Sequence, residues 1–191
     1  MKLADEMAAP DFEAEDIFGN PVSLRAYAGK VVLMSFLRNG ACAMCNLQIH
    51  KLIERFPEHH SRGLEVIAVF ESPRESVVTH VSKQNVPFTI IADPGAVLYD
   101  LYGVESSQEK VLAPVDEIWR NGMIREAEAI GYKLMHEEGS NFFRMPADFL
   151  IGPDQRLQVA FYSNAVGEHI AWQQIEDALM QLAQNRSLSA H

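Results

Sequence analysis

Between residues 11 and 24, two short stretches of mixed apolar and polar residues flank Phe18-Gly19-Asn20-Pro21, a turn-forming run that predicts a hairpin of two short strands. The next apolar run, VVLMSFL at 31–37, behaves differently. It opens on β-branched residues and does not alternate, which predicts a strand buried on both faces and therefore the centre of a sheet. Arg38 to Ala41 then read as a loop, and Cys45, Ile49, Leu52, Ile53 and Phe56 fall on one helical face that Pro57 is expected to end. Alternation of strand and helix continues with LEVIAVF at 64–70, a helix from Pro73 to about Lys83, PFTIIAD at 87–93 and a short helix, AVLYDLYG, stopped by Gly103. Apolar strands alternating with helices predict an α/β sheet covered on both faces.

From Glu105 to about Gly139 no strand-like run occurs, and Val111, Val115, Ile118, Trp119, Met123, Ala127 and Ile130 recur at helical spacing, with Pro114 and Gly131 as dividers. This stretch reads as a helical insertion, 105–140. DFLI at 148–151 and LQVAFY at 157–162 flank Gly152-Pro153-Asp154-Gln155 and predict a second hairpin, and a final amphipathic helix carries Ala171, Ile175, Ala178, Leu179 and Leu182 on one face. A length of 191 residues suits one domain, 1–191, with that insertion inside it.

Composition narrows the partners. The chain is 48% hydrophobic, enough for a core, and its 26 acidic against 16 basic residues give a formal charge of −10, which disfavours nucleic acid and anionic membrane surfaces. No apolar run approaches the roughly 20 residues of a spanning helix. Asp5 and Glu6 stand where a secretion signal would be apolar, so a cytoplasmic location is expected.

The most informative count is two cysteines, Cys42 and Cys45, three positions apart at the junction of a buried strand and a helix. One bridge across so short a loop is a poor stabiliser, worth about 2 kcal/mol in the chain-entropy account. A helix start, by contrast, favours thiolate, and this spacing lets one sulfur reach the other, so the pair can cycle between dithiol and disulfide. Two other readings compete. The cysteines can pack as small apolar residues, or they can form half a zinc site, for which neither a second cysteine pair nor regular spacing of the seven histidines supplies the remaining ligands.

FLRNGACAMCNLQIHKL resembles the active-site segment of the peroxiredoxin-like branch of the AhpC/TSA superfamily, which often reads close to FYRGGWCPYCNLELRAL; the matches are Phe36, Arg38, Gly40, Cys42, Cys45, Asn46, Leu47 and Leu52. APDFEAEDIFGNPVSL with AGKVVLMSF resembles the opening hairpin and first core strand of redoxins, and RMPADFLIGPDQRLQVAF their late hairpin. The resemblance implies a thioredoxin-like fold and a thiol-dependent oxidoreductase that reduces peroxides or disulfides through Cys42 and Cys45. A thioredoxin-like or low-molecular-weight thiol would return the electrons, and no organic cofactor or metal is implied. It also implies a cis peptide bond before Pro146, facing the cysteines.

Which sulfur attacks stays open at this point. Thioredoxin-type enzymes attack with the first cysteine, here Cys42, whereas the peroxiredoxin pattern Pro-X-X-X-Thr-X-X-Cys aligns its peroxidatic cysteine with Cys45 and puts Cys42 at the threonine and Arg38 at the proline. Cys45 lies on the apolar helix face and is expected to be the more buried, which favours Cys42. Ala41 and Ala43 stand where the family carries an aromatic residue and a proline. Arg38 is either a surface arginine or a cation that lowers a thiol pKa; Arg144 is expected at the surface, and Asp148 at the edge of a hairpin rather than in a proton relay. Trp119, Met123 and Met135 of the insertion are read as covering the chain's own core, or as a lid or a homodimer face.

Overall fold

The computed structural model describes residues 1–113 and 116–189. A five-stranded sheet runs in the order β5-β4-β3-β6-β7, built from β3 (Val31–Leu37), β4 (Leu64–Phe70), β5 (Thr89–Ala92), β6 (Ala147–Ile151) and β7 (Leu157–Tyr162). A separate hairpin, β1 (Glu13–Glu15) with β2 (Pro21–Ser23), precedes it. β3 pairs parallel with β4 and antiparallel with β6, so the run of apolar residues is the central strand, with every residue buried.

Alternate residues of β3 serve opposite faces, as the pleat requires. Val31, Leu33 and Leu37 pack with Cys42, with Cys45, Ile49 and Leu52 of α1 (Ala43–Ser61) and with Ile175 and Leu179 of α6 (Trp172–Ser189). Val32, Met34 and Phe36 face the other way, against Phe149 and against Leu98 and Tyr99 of α3 (Val97–Leu101). Phe36, Tyr99, Tyr102 and Phe149 meet edge-on or tilted at 5.0–5.6 Å between ring centres. Ser35 and Asp148 are direct partners across β3 and β6. Both are buried polar residues, and they share the α1 side of the sheet.

Several expectations need correction. Pro57 does not end α1, which continues to Ser61. A proline removes one helical hydrogen bond, but the turns on either side are held by tertiary packing: Phe56 stacks on His60 and touches Phe88, and the buried His59 ring lies 5.5 Å from Trp172. The helix after Pro73 is shorter than predicted: α2 is Arg74–His80, followed by a 3-10 turn at Ser82–Gln84 and a left-handed Asn85. Among the described residues no peptide bond is cis, so Pro146 is trans. Trans is the cheaper isomer by about 0.5–1 kcal/mol, and the flanking backbone is held extended by bonds from Met145 N–H to the Glu105 carbonyl and from Ser163 N–H to the Pro146 carbonyl.

Between α3 and β6 lie α4 (Gln108–Leu112) and α5 (Glu117–Ala129), with Gly131 at φ +90° just past the end of α5. Pro114 and Val115 lie outside the described residues. Ala127 of α5 is buried with Ala43 and Leu47 of α1, and Met123 packs beside them, so this segment covers the start of the cysteine helix. No helix among the described residues is long and apolar enough to cross a membrane.

Phe149→Ala should lower the unfolding free energy by about 3–5 kcal/mol, measured by denaturant titration. Alkylation of Cys42 in the folded variant should keep the wild-type rate, because Phe149 lies on the opposite face of the sheet.

Candidate active site

The chain leaves β3 at Leu37 and re-enters regular structure at Ala43, so Cys42 is the N-cap of α1, with extended backbone angles of φ −67° and ψ 116°. Its sulfur does what a serine or aspartate oxygen does at that position: it accepts the Cys45 backbone N–H, at 3.3 Å. Arg38 supplies the second contact, with Nη2 3.4 Å from Cys42 Sγ, while its backbone N–H points to Cys45 Sγ at 3.4 Å. Arg38 is therefore the cation beside the pair and not a free surface residue. Its Nη1 donates to the Phe142 carbonyl at 3.2 Å and its guanidinium lies 5.1 Å from the Phe142 ring centre.

Both cysteines are free thiols. Burial does not rank them as expected: Cys42 is 2% exposed and Cys45 6%, because the N-cap sulfur turns under Arg38 instead of out to solvent. Electrostatics separate them. The hydrogen bond from Cys45 holds the Cys42 thiol down to about 6 against the opposing cost of burial, aided by the charge of Arg38 and by the Cys45 N–H. Burial and the neighbouring Cys42 sulfur push the Cys45 thiol well above its ordinary value. The pair is thus one thiolate and one thiol at neutral pH.

The loop that delivers Cys42 is tied by residues that sequence reasoning passed over. Gly40 N–H donates to Ser72 Oγ at 2.9 Å, and a Cβ on Gly40 would come within 3.0 Å of Ser76 Oγ and 3.2 Å of the Ser76 backbone, which is why glycine stands there. Ala41 is buried, and its N–H donates to Glu137 Oε2 at 3.2 Å. The same carboxylate accepts the hydroxyls of Ser72 and Ser76, at 2.7 and 2.6 Å. Asn46 Nδ2 bonds the Gly40 and Cys42 carbonyls at 2.7 and 3.1 Å. Asn46 is part of the family-like segment and was legible in that sense; Glu137 carries no local signal.

Pro146 is brought to Cys45, lining a small cavity with it and with Arg38, Arg144 and His169. Arg144 is buried, contrary to expectation: Nε bonds Glu71 at 2.6 Å, Nη1 bonds the Val104 carbonyl at 2.6 Å, and the guanidinium lies 4.7 Å from the Tyr99 ring centre. Asp148 is also not at an edge, since β6 lies between β3 and β7. It accepts the Ser35 hydroxyl at 2.6 Å and the Ile170 N–H at 2.8 Å, and lies 3.0 Å from His169 Nδ1. Beside Arg38 opens a cleft of about 520 Å³, walled by Met44, Trp119, Met123, Leu134 and Phe142. Ala41 lines a second, of about 650 Å³, with His50, Ile53 and Tyr132. No group of three or more histidine, cysteine or acidic side chains among the described residues is placed to hold a metal ion.

Comparison with known proteins gives the family and the fold. The family described as AhpC/TSA family matches residues 6–160. The chain belongs to the AhpC/TSA family. Within it, the chain is 29% identical over 105 residues to thiol-disulfide oxidoreductase ResA of Halalkalibacterium halodurans, covering 54% of this chain and 59% of that protein. It is 28% identical over 105 residues to chloroplastic peroxiredoxin Q of Sedum lineare, covering 55% of this chain and 56% of that one. The aligned part is therefore less than two thirds of the length of these curated relatives. Among solved structures, peroxidoxin BcpB from Mycobacterium tuberculosis superposes with a TM-score of 0.65 at 14% identity, over 95% of this chain and 97% of that one. A putative thiol:disulfide interchange protein DsbE from Chlorobium tepidum gives 0.63 at 20% identity, over 94% and 99%. The AhpC/TSA chain thus has the thioredoxin-like fold.

Arg38→Met should slow alkylation of Cys42 by iodoacetamide at pH 7 by about two- to tenfold, since losing a neighbouring cation raises a thiol pKa by about one to two units and the Cys42 thiol starts at about 6. At pH 10, where the thiol ionises without help, the two proteins should react at similar rates.

Proposed function

We propose that this AhpC/TSA chain is a thiol-dependent oxidoreductase in which the Cys42 thiolate attacks a peroxide oxygen or a disulfide sulfur and Cys45 then closes a Cys42–Cys45 disulfide. The observation that carries the reading is the Cys42 sulfur at the α1 N-cap, contacted by the Cys45 N–H and by Arg38. With a peroxide, attack forms a sulfenic acid and releases the alcohol; Cys45 displaces the sulfenate oxygen, which leaves as water, and two electrons have passed from the sulfurs to the peroxide. With a disulfide, the same thiolate forms a mixed disulfide that Cys45 resolves. A thioredoxin-like or low-molecular-weight thiol in the cytoplasm restores the dithiol. The chain is read as one domain in which 105–140 is an insertion that walls the cleft beside Arg38. That cleft, about 520 Å³ and walled by apolar side chains with Arg38, Lys110, Arg120 and Glu137 among them, supports an organic hydroperoxide or a disulfide-bearing chain as substrate.

A second reading, disulfide exchange with little peroxide turnover, is favoured by the division of roles. Under the peroxiredoxin pattern Cys45 would be the peroxidatic residue, yet its thiol is the one pushed up by burial. Names of the relatives point both ways, one a thiol-disulfide oxidoreductase and the other a peroxiredoxin.

Consumption of hydrogen peroxide, of cumene hydroperoxide and of a protein disulfide, each with a thioredoxin system supplied, tests the proposal. Cys42→Ser should lose turnover with every substrate by on the order of a thousandfold or more. Cys45→Ser should perform one round and accumulate a trappable Cys42 sulfenate with peroxide. Unimpaired turnover by Cys42→Ser would refute the assignment, and turnover of the protein disulfide alone would select the second reading.

A further inference from the structure

Cys45 poses a problem that the mechanism above leaves unsolved. It must lose its proton to attack the oxidised Cys42, yet it is buried on the apolar side of α1, and its neighbour Arg38 carries no base. The small cavity beneath it has a volume of about 10 Å³ and is lined by Cys45, Arg38, Arg144, Pro146 and His169. That is the lower limit for a single water molecule. His169 brings the one imidazole to this lining. It also lines an open cleft of about 480 Å³ on the outer side, together with Lys51, Glu126 and Glu168, so the ring stands between the buried sulfur and solvent.

Its orientation is fixed from behind. Asp148 is fully buried under α1 and already accepts the Ser35 hydroxyl and the Ile170 N–H; its Oδ2 lies 3.0 Å from His169 Nδ1. A carboxylate oxygen in that setting accepts, so Nδ1 donates, and the lone pair of a neutral ring is on Nε2. A buried acid whose bonds are spent on a serine, a backbone amide and a histidine ring holds that ring more tightly than a solvated contact would.

We infer that His169 is the proton-transfer residue for Cys45, taking the thiol proton through one water in the cavity and passing it to solvent, with Asp148 and Ser35 as positioning residues. The inference rests on the proposed dithiol cycle. When Cys42 carries a mixed disulfide, the Cys45 S–H bond breaks toward water and His169 Nε2, the Cys45 thiolate forms the bond to Cys42 Sγ, and the partner sulfur leaves with the electron pair. In the reverse direction His169 returns the proton to Cys45.

A single turnover with 5,5′-dithiobis(2-nitrobenzoate) separates the steps, because each sulfur releases one coloured thiolate: the first on attack by Cys42, the second on resolution by Cys45. In His169→Ala the first release should stay within about twofold of wild type, and the second should slow by about a hundredfold, the usual reach of a proton-transfer group. Added imidazoles should restore the second phase, with rates rising with the basicity of the imidazole, an effect that a merely structural residue does not produce. His169→Asn, which keeps a donor toward Asp148, should show the same slow second phase, and carries the test should the alanine variant not fold. A second phase of wild-type speed in either variant overturns the inference, as does a slow phase that imidazoles leave unchanged. Failure of the underlying reading looks different: if the first release survives in Cys42→Ser, Cys45 is the attacker, and the His169 effect must then move to that phase or the inference falls as well.

Discussion

A sulfur occupies a position usually given to oxygen, and much of the site depends on it. Cys42 Sγ sits at the N-cap of a 19-residue helix and receives a backbone N–H and a guanidinium N–H, while its own burial works against charge. Contacts of this kind, to an ionised sulfur shielded from water, are stronger than the same contacts in solvent. They also discriminate, because only one of the two sulfurs can sit there. Cys45, one turn further along, meets apolar packing and the neighbouring sulfur, and so keeps its proton. The difference between the two thiols is a consequence of helix geometry rather than of exposure.

Precision of that arrangement comes from elements far away in the chain. Central strand β3 fixes the departure point of the loop, and α2 approaches it so closely that a Cβ at position 40 would crowd Ser76. Glu137, 96 residues beyond Ala41, then gathers the Ala41 N–H and the hydroxyls of Ser72 and Ser76 onto one carboxylate. The stretch between α3 and β6 thereby does two things at once: through Ala127 and Met123 it covers the start of α1, and through Glu137 and Phe142 it holds the loop and Arg38.

Legibility in the sequence followed the range of the interactions. β3 was visible because a strand buried on both faces cannot alternate, and α1 because its apolar face repeats at helical spacing; the cysteines, Arg38 and Gly40 were visible as a compact segment between them. Pro57 misled because local helix-breaking was outweighed by packing of Phe56 and His59. The same holds for the relative burial of the sulfurs, which a helical wheel ranks by face but which Arg38 decides by folding over the N-cap. Arg144, Asp148 and Glu137 were misplaced or missed for one reason: each is a charged residue whose partners are distant in sequence, such as Glu71 for Arg144 and His169 for Asp148. Charge in a sequence reads as surface by default, and only three-dimensional pairing reverses that.

The most direct test is a titration of both cysteines, labelled with ¹³C at Cβ, followed by NMR in the reduced protein. The account predicts a midpoint of about 6 for Cys42 and no titration of Cys45 up to and beyond pH 9. Two midpoints close together near the ordinary thiol value of about 8.5, or a Cys45 that ionises before Cys42, would contradict it.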